Sequence, residues 1–237
     1  MNDCGINGDE TARNTINRAT CSNSPPSFTG MMVIFLVCGL CFGLPGLSKN
    51  NPPIRSRSYL GMPTILITGD PGVGKTTCIR KISRALGDRN PAGFLTEEIR
   101  EEGTRVGFEI AGLDGRRLVL AHLKISSRYR VGKYRVDIAG FESYLCSLII
   151  PGQKNSVLFI DEIGKMECFS TIFRDMITRF LASDCLMIAT IAKKGNQFIE
   201  EIKKRDDVIL VIVTRENRED LPTQVLDIIS RVLREQG

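Results

Sequence analysis

Tryptophan is absent from this chain, histidine occurs once, and aromatic residues make up only 6% of it. Stacking platforms for single-stranded nucleic acid are therefore not expected. The one histidine, His122, has no second imidazole with which to hold a metal, and the simplest expectation is that it faces solvent. Net charge is small as well: 32 basic against 27 acidic residues leave +5, mixed along the chain. So small and dispersed an excess does not mark a nucleic-acid surface. No internal repeat is visible.

Long hydrophobic runs are also few. Residues 31–44 (MMVIFLVCGLCFGL) form an apolar run of 14, short of the roughly 20 that cross a bilayer. The stretch before it, SNSPPSFTG, lacks the basic region of a signal peptide. A weak membrane anchor, a targeting segment, and sequence upstream of the real start are the open readings. The third is favoured, because starting at Met62 puts the first core strand at the amino terminus. Residues 1–30, rich in Asn, Thr, Ser and Gly without a period, read as disordered. The expected organisation is an extension over 1–61 and one domain over 62–237, in a cytoplasmic protein.

Eight cysteines do not form a disulfide framework. Cys78, Cys146, Cys168 and Cys185 are scattered singly and are expected to be buried thiols. Cys38 and Cys41 form a C-x-x-C inside the apolar run, with no second pair at zinc spacing, and are incidental.

From residue 62 onward strand and helix patterns alternate, which predicts an α/β fold: a mostly parallel sheet flanked by helices. Strands are expected at 64–68, 93–99, 157–160, 186–191 and 208–213, the last three buried. Val106–Ala111 and Arg117–Leu120, joined through Leu113-Asp114-Gly115, read as an antiparallel hairpin insertion. Helices are expected at 75–86, after Asp137 as N-cap with Ile138, Phe141, Leu145, Leu148 and Ile149 on one face, around 196–204, and from Leu221-Pro222 onward. The apolar stripe Phe169, Ile172, Phe173, Met176, Ile177, Phe180, Leu181 predicts a further helix with a core face.

Gly69-Asp70-Pro71-Gly72-Val73-Gly74-Lys75-Thr76 matches G-x-x-x-x-G-K-[ST] and lies between an apolar strand and an amphipathic helix. Glycines let backbone N–H groups turn around a phosphate, and the following helix presents its positive end to the same charge. In such a loop the lysine, here Lys75, reaches β- and γ-oxygens, and the hydroxyl of Thr76 coordinates Mg²⁺. The alternative is an ordinary glycine-rich turn. Asp161-Glu162 closes the 157–160 strand, so Asp161 is expected in the Mg²⁺ shell. Glu162 is placed to orient or deprotonate a water, which favours hydrolysis over binding alone. Otherwise both acids merely end a strand. A modest basic bias suits a protein that holds polyphosphates.

Asp161-Glu162-Ile163-Gly164-Lys165-Met166-Glu167, Thr96-Glu97-Glu98, Val131-Gly132-Lys133-Tyr134 and Glu216-Asn217-Arg218 resemble the thermostable nucleoside-triphosphatase family, which includes the cancer-related nucleoside triphosphatases. The resemblance runs from about Met62 to the C-terminus. It implies one RecA-like P-loop domain that slowly hydrolyses nucleoside triphosphates, ATP and GTP among them, with broad base tolerance and Mg²⁺ as cofactor. The nucleotide-binding stretches carry over as Asp70, Pro71, Gly72, Val73, Gly74, Lys75, Thr76 and Thr77, with Asp161, Glu162, Ile163 and Gly164. Lys75, Glu162 and Lys165 are the candidate catalytic residues, Lys165 because it follows the strand closely enough to neutralise transition-state charge.

Two rival functions stay open. A nucleotide or small-molecule kinase would use the basic cluster Arg128, Arg130, Lys133 and Arg135 as an acceptor clamp. A nucleotide-dependent switch would hydrolyse only to reset itself. Glu216-Asn217-Arg218 either contacts the base or caps its loop through Asn217. A protein partner is not legible.

Overall fold

In Thr64–Gly69 (β1), Val157–Ile163 (β7) and Leu186–Ile191 (β8), every residue but Glu162 is buried, although successive side chains point to opposite faces. Strands of this kind need cover on both sides. The computed structural model describes residues 62–148 and 156–235. The segment 1–61, with its apolar run, and Ile149 of the expected helix face lie outside the described residues.

The remaining elements are α1 (Lys75–Ala85), β2 (Pro91–Glu101), β3 (Thr104–Gly112), β4 (Arg117–His122), β5 (Arg130–Val131), β6 (Tyr134–Val136), α2 (Ile138–Cys146), α3 (Thr171–Leu181), α4 (Gln197–Lys203), β9 (Val208–Val213) and α5 (Leu221–Glu235). The strands form one mixed sheet in the order β5-β6-β4-β3-β2-β7-β8-β1-β9. β2, β7, β8, β1 and β9 pair in parallel, and β8 lies between β1 and β7. The carboxyl ends of β1, β8 and β7 therefore meet at one edge, and that edge carries the site.

β2 is the pivot of the sheet. Its first residues, Pro91–Phe94, pair in parallel with β7, while Phe94–Glu101 pair antiparallel with β3. The antiparallel part thus runs from β2 through β5 and is longer than the 106–120 hairpin read from the sequence. The Asp-Gly turn is where it was expected. A second turn at Glu102-Gly103, with φ of 49° and 78°, closes β2 onto β3. β5 and β6 have two and three residues, too few to show a period.

Alternation along the strands feeds two cores. On one face Ile65, Ile67, Phe159 and Ile188 pack with Cys78, Ile79 and Ile82 of α1 and Val225 and Ile229 of α5. On the other, Leu66, Leu158, Ile160 and Met187 pack with Phe141 of α2, Phe173 and Ile177 of α3, and Ile199 of α4. Phe141 stands edge-on to Phe94 with ring centroids 5.9 Å apart, a geometry that favours aromatic pairs. The Asp137 side chain accepts from Gly140 N–H at 3.0 Å, so it is the cap that the sequence predicts.

Some surface placements differ from expectation. α3 begins at Thr171 behind the cap Ser170, with Phe169 in a preceding 3-10 turn. Only Phe173 and Ile177 of its stripe are fully buried, and Ile172 is 40% exposed, because the helix meets the sheet along a narrow line. β9 is an edge strand, and Ile212 on it is exposed. Cys146 is exposed rather than buried. The His122 side chain is mostly buried, and its Nδ1 accepts from Lys124 N–H. No helix among the described residues is long and apolar enough to cross a membrane.

Candidate active site

Residues 69–76 turn between the end of β1 and the start of α1. A side chain at Gly69 would place its Cβ 2.6 Å from the Val213 carbonyl oxygen of β9, so only glycine fits there. Gly74, the N-cap of α1, has φ of 115°, a conformation strained for any other residue. Asp70, Pro71, Gly72 and Thr77 are exposed, Val73 is buried, and Lys75 and Thr76 are half-buried. Lys75 Nζ lies 3.4 Å from the Gly69 carbonyl oxygen, back along its own loop.

Asp161 ends the apolar part of β7 and is 1% exposed. Thr190 of β8 donates its hydroxyl to Asp161 Oδ1 at 2.5 Å. The Thr96 N–H lies 3.4 Å from Oδ2, and the Thr96 hydroxyl donates to the main-chain oxygen of Asp161. The Thr76 side chain acts on the same carboxylate and favours its charged form. Thr76 and Asp161, the two residues expected to share Mg²⁺, are thus brought together. Burial pushes the Asp161 carboxyl above the ordinary range, while these hydrogen bonds and the charge of Lys75 oppose it.

Glu162 follows in a cis peptide. Its carboxyl is raised chiefly by burial, held down by Lys75 and pushed up by Asp161. Beyond buried Ile163 and Gly164, the chain folds back and brings Glu167 beneath Glu162. An atom added on Gly164 would sit 2.8 Å from Glu167 Oε2 and 3.5 Å from Glu162 Cδ, so both carboxyls border one glycine. Burial first, then the charge of Glu162, push Glu167 up to about 8.

Other expected residues fall elsewhere. Lys165 is exposed and lines a separate groove with Arg130, Gly132, Cys168 and Asn196. Around that groove Arg130 donates to Gly132 O, Arg135 to Ser127 O, and Arg128 to the Tyr129 hydroxyl. Lys133 stands over the Tyr134 ring. Asn217 takes the capping role: its Oδ1 accepts from Thr214 N–H at 2.8 Å, and its Nδ2 donates to Ile212 O at 2.9 Å. Arg218 flanks the loop, with its Cδ 3.8 Å from where a Cβ on Gly74 would lie.

Two residues near the loop were not singled out from the sequence. Thr190 was readable only as a lone hydroxyl in an apolar strand. Lys193, just past β8, pairs with Asp70 at 2.7 Å and holds the Asp70 carboxyl below its usual range. Nothing in the sequence separates it from a solvated lysine. A cleft of about 690 Å³ beside the loop is lined by Gly69, Asp70, Lys193, Lys203, Thr214 and Arg215.

Comparison with known proteins bears on this arrangement. A family model described as NTPase matches residues 64–226. Nucleoside-triphosphatase THEP1 of Thermotoga sp. (strain RQ2) is 45% identical over 166 residues, which cover 70% of this chain and 94% of that protein. Human cancer-related nucleoside-triphosphatase is 38% identical over 175 residues, 66% of this chain and 91% of that one. The crystal structure of THEP1 from Aquifex aeolicus superposes with a TM-score of 0.63 at 34% identity, covering 70% of this chain and 98% of that one. The sheet with its parallel core, the loop at 69–76 and these matches lead to one assignment: the chain belongs to the family of THEP1 and the cancer-related nucleoside-triphosphatases, within the P-loop NTPases.

Proposed function

We propose that this protein hydrolyses nucleoside triphosphates to diphosphate and phosphate, slowly, with broad base tolerance and with Mg²⁺. The observation that carries the reading is the position of Glu162, directly after buried Asp161 and within the field of Lys75.

The donor set fits the metal. Asp161 is a buried carboxylate met by the Thr190 hydroxyl and by the side chain of Thr76, and hard oxygen donors suit Mg²⁺. Among the described residues no group of three or more His, Cys, Asp or Glu could hold a metal alone. An ion there would take its other ligands from phosphates and water, as Mg²⁺ usually does. When bound, Mg²⁺ would neutralise charge on the β- and γ-oxygens.

The chain's own residues supply the rest. N–H groups of the 69–76 loop would grip the β-phosphate, and Lys75 would leave the Gly69 carbonyl to bridge β- and γ-oxygens. Glu162 would orient a water in line with the γ-phosphorus. As the water oxygen bonds to that phosphorus, the bond to the β–γ bridging oxygen breaks. Glu162 takes the water proton, and the diphosphate departs with the bridging oxygen. Asn217 supports base tolerance, because its amide is already committed to Thr214 and Ile212.

Phosphate release from ATP, GTP, CTP and UTP, with no acceptor added and with or without a chelator, tests this reading. Release from all four that stops on chelation is expected. Release that appears only when a hydroxyl acceptor is supplied would make the protein a kinase.

A further inference from the structure

We propose that Lys193 is the cation that stabilises charge on the transferred phosphoryl group, acting in cis, with Asp70 as its holding partner. The inference rests on the hydrolase reading above. Lys193 Nζ is 2.7 Å from Asp70 Oδ1, and Asp70 is the second residue of the loop. Lys75 Nζ lies 3.4 Å from the carbonyl oxygen of Gly69, the residue before Asp70, so both lysines reach the first two residues of the loop. Lys165, the residue favoured by sequence for this role, lines another groove with Arg130. Arg218 lies against Gly74 and within 3.6 Å of Glu219.

The backbone that carries Lys193 is fixed from three sides. Three residues earlier, Thr190 bonds to Asp161. The Ala192 N–H donates to Ile163 O at 3.2 Å, which ties the segment to β7. Lys203, with only 11% of its side chain exposed, donates to Lys193 O at 2.9 Å and pairs with Glu200 at 2.9 Å. Paired with Glu200 and hydrogen-bonded in this way, the largely buried ammonium group of Lys203 is satisfied and holds the main chain that carries Lys193 in place. The Lys193 side chain itself remains free to swing. It is 55% exposed and Asp70 is 70% exposed, and a pair so exposed contributes little. A triphosphate brings several negative charges to the same mouth and competes with Asp70 for the ammonium group.

The test compares Lys193→Met and Lys193→Arg with wild type by steady-state phosphate release, alongside diphosphate and triphosphate affinities. Because Lys193 is more than half exposed, both variants should unfold at the wild-type midpoint. kcat of Lys193→Met should fall roughly 10- to 100-fold, about the margin that a cation in cis provides in P-loop hydrolases. KM and diphosphate affinity should change by less than about threefold, the pattern of an interaction made only in the transition state. Lys193→Arg should recover part of the rate, and Lys203→Met should lose part of it with Lys193 in place. An unchanged kcat in Lys193→Met would overturn the proposal and leave the pair a surface contact. Equal losses of diphosphate affinity and rate would overturn it too, making Lys193 a binding residue. Glu162→Gln run in parallel separates the two readings. A fall there beside an unchanged Lys193→Met discards only Lys193, whereas the reverse discards water activation by Glu162 and keeps Lys193.

Discussion

The Thr190 hydroxyl and Asp161 Oδ1 are 2.5 Å apart, a bond that ties the end of β8 to the carboxylate at the end of β7. It exists because β8 lies between β1 and β7 in the sheet. A nearly inaccessible carboxylate needs donors to stay charged, and Thr190 and the Thr96 N–H provide them from β8 and β2. The same bond orders the segment that leads to Lys193.

Thr190→Val keeps the shape of the side chain and removes the donor. Leaving one oxygen of a buried carboxylate short of a partner should cost about 1–3 kcal/mol. Burial already raises the Asp161 carboxyl, and the hydrogen bond from Thr190 does most to oppose it. Without Thr190 the folded form should hold its proton to higher pH, so the loss of stability should grow as pH rises and be small near pH 4. Thr190→Ser should restore most of it. Denaturant midpoints at acid and neutral pH check this, and an equal cost at both would mean that Thr190 acts through packing.

Glu167 should make the fold lose stability as pH rises from weak acid towards about 8. Its carboxyl is raised from 4.5 to about 8 in the folded chain. Between those values the folded state keeps a proton that the unfolded state has released, so stability falls as pH rises through that window. Glu167→Gln removes the titration. Wild type should lose on the order of a few kcal/mol more than the variant between pH 5 and pH 8. Parallel stability curves for the two proteins would show that Glu167 is not protonated in the fold.

Residues 62–237 should hydrolyse nucleotides and unfold cooperatively without residues 1–61. β1 begins at Thr64, and the family match begins at the same residue. The kcat of the shortened protein should equal that of the full chain. An insoluble or inactive product would make residues 1–61 part of the domain.

Much of this site was readable before any coordinates, for reasons tied to local sequence. A loop of fixed glycine spacing, an acid pair closing an apolar strand and an Asp ahead of an amphipathic run each act within a few residues of themselves. Most of what was hidden depends on residues far apart in the chain. Thr190 is an ordinary strand residue until the strand order sets it beside Asp161. The burial of Glu167 is a local matter, set by the 167–169 turn that folds it under Gly164, but such a turn leaves no periodic mark in the sequence. Lys193 and Lys194 are alike in sequence, and only the turn after β8 decides which one meets Asp70. Lys165 lies past the end of β7, where closeness in sequence to Glu162 does not fix the side chain's direction, and it lines the groove with Arg130.

The most direct test of the account is Glu162→Gln, assayed for triphosphate affinity and for phosphate release on the same preparation. The substitution keeps size and hydrogen bonding but removes the group that accepts a proton. The 69–76 loop and Asp161 are unchanged, so affinity should stay within about threefold, while kcat falls by about 10²–10⁴, the usual worth of a positioned general base. Full activity, or a loss of affinity equal to the loss of rate, would contradict the assignment of Glu162 to the attacking water.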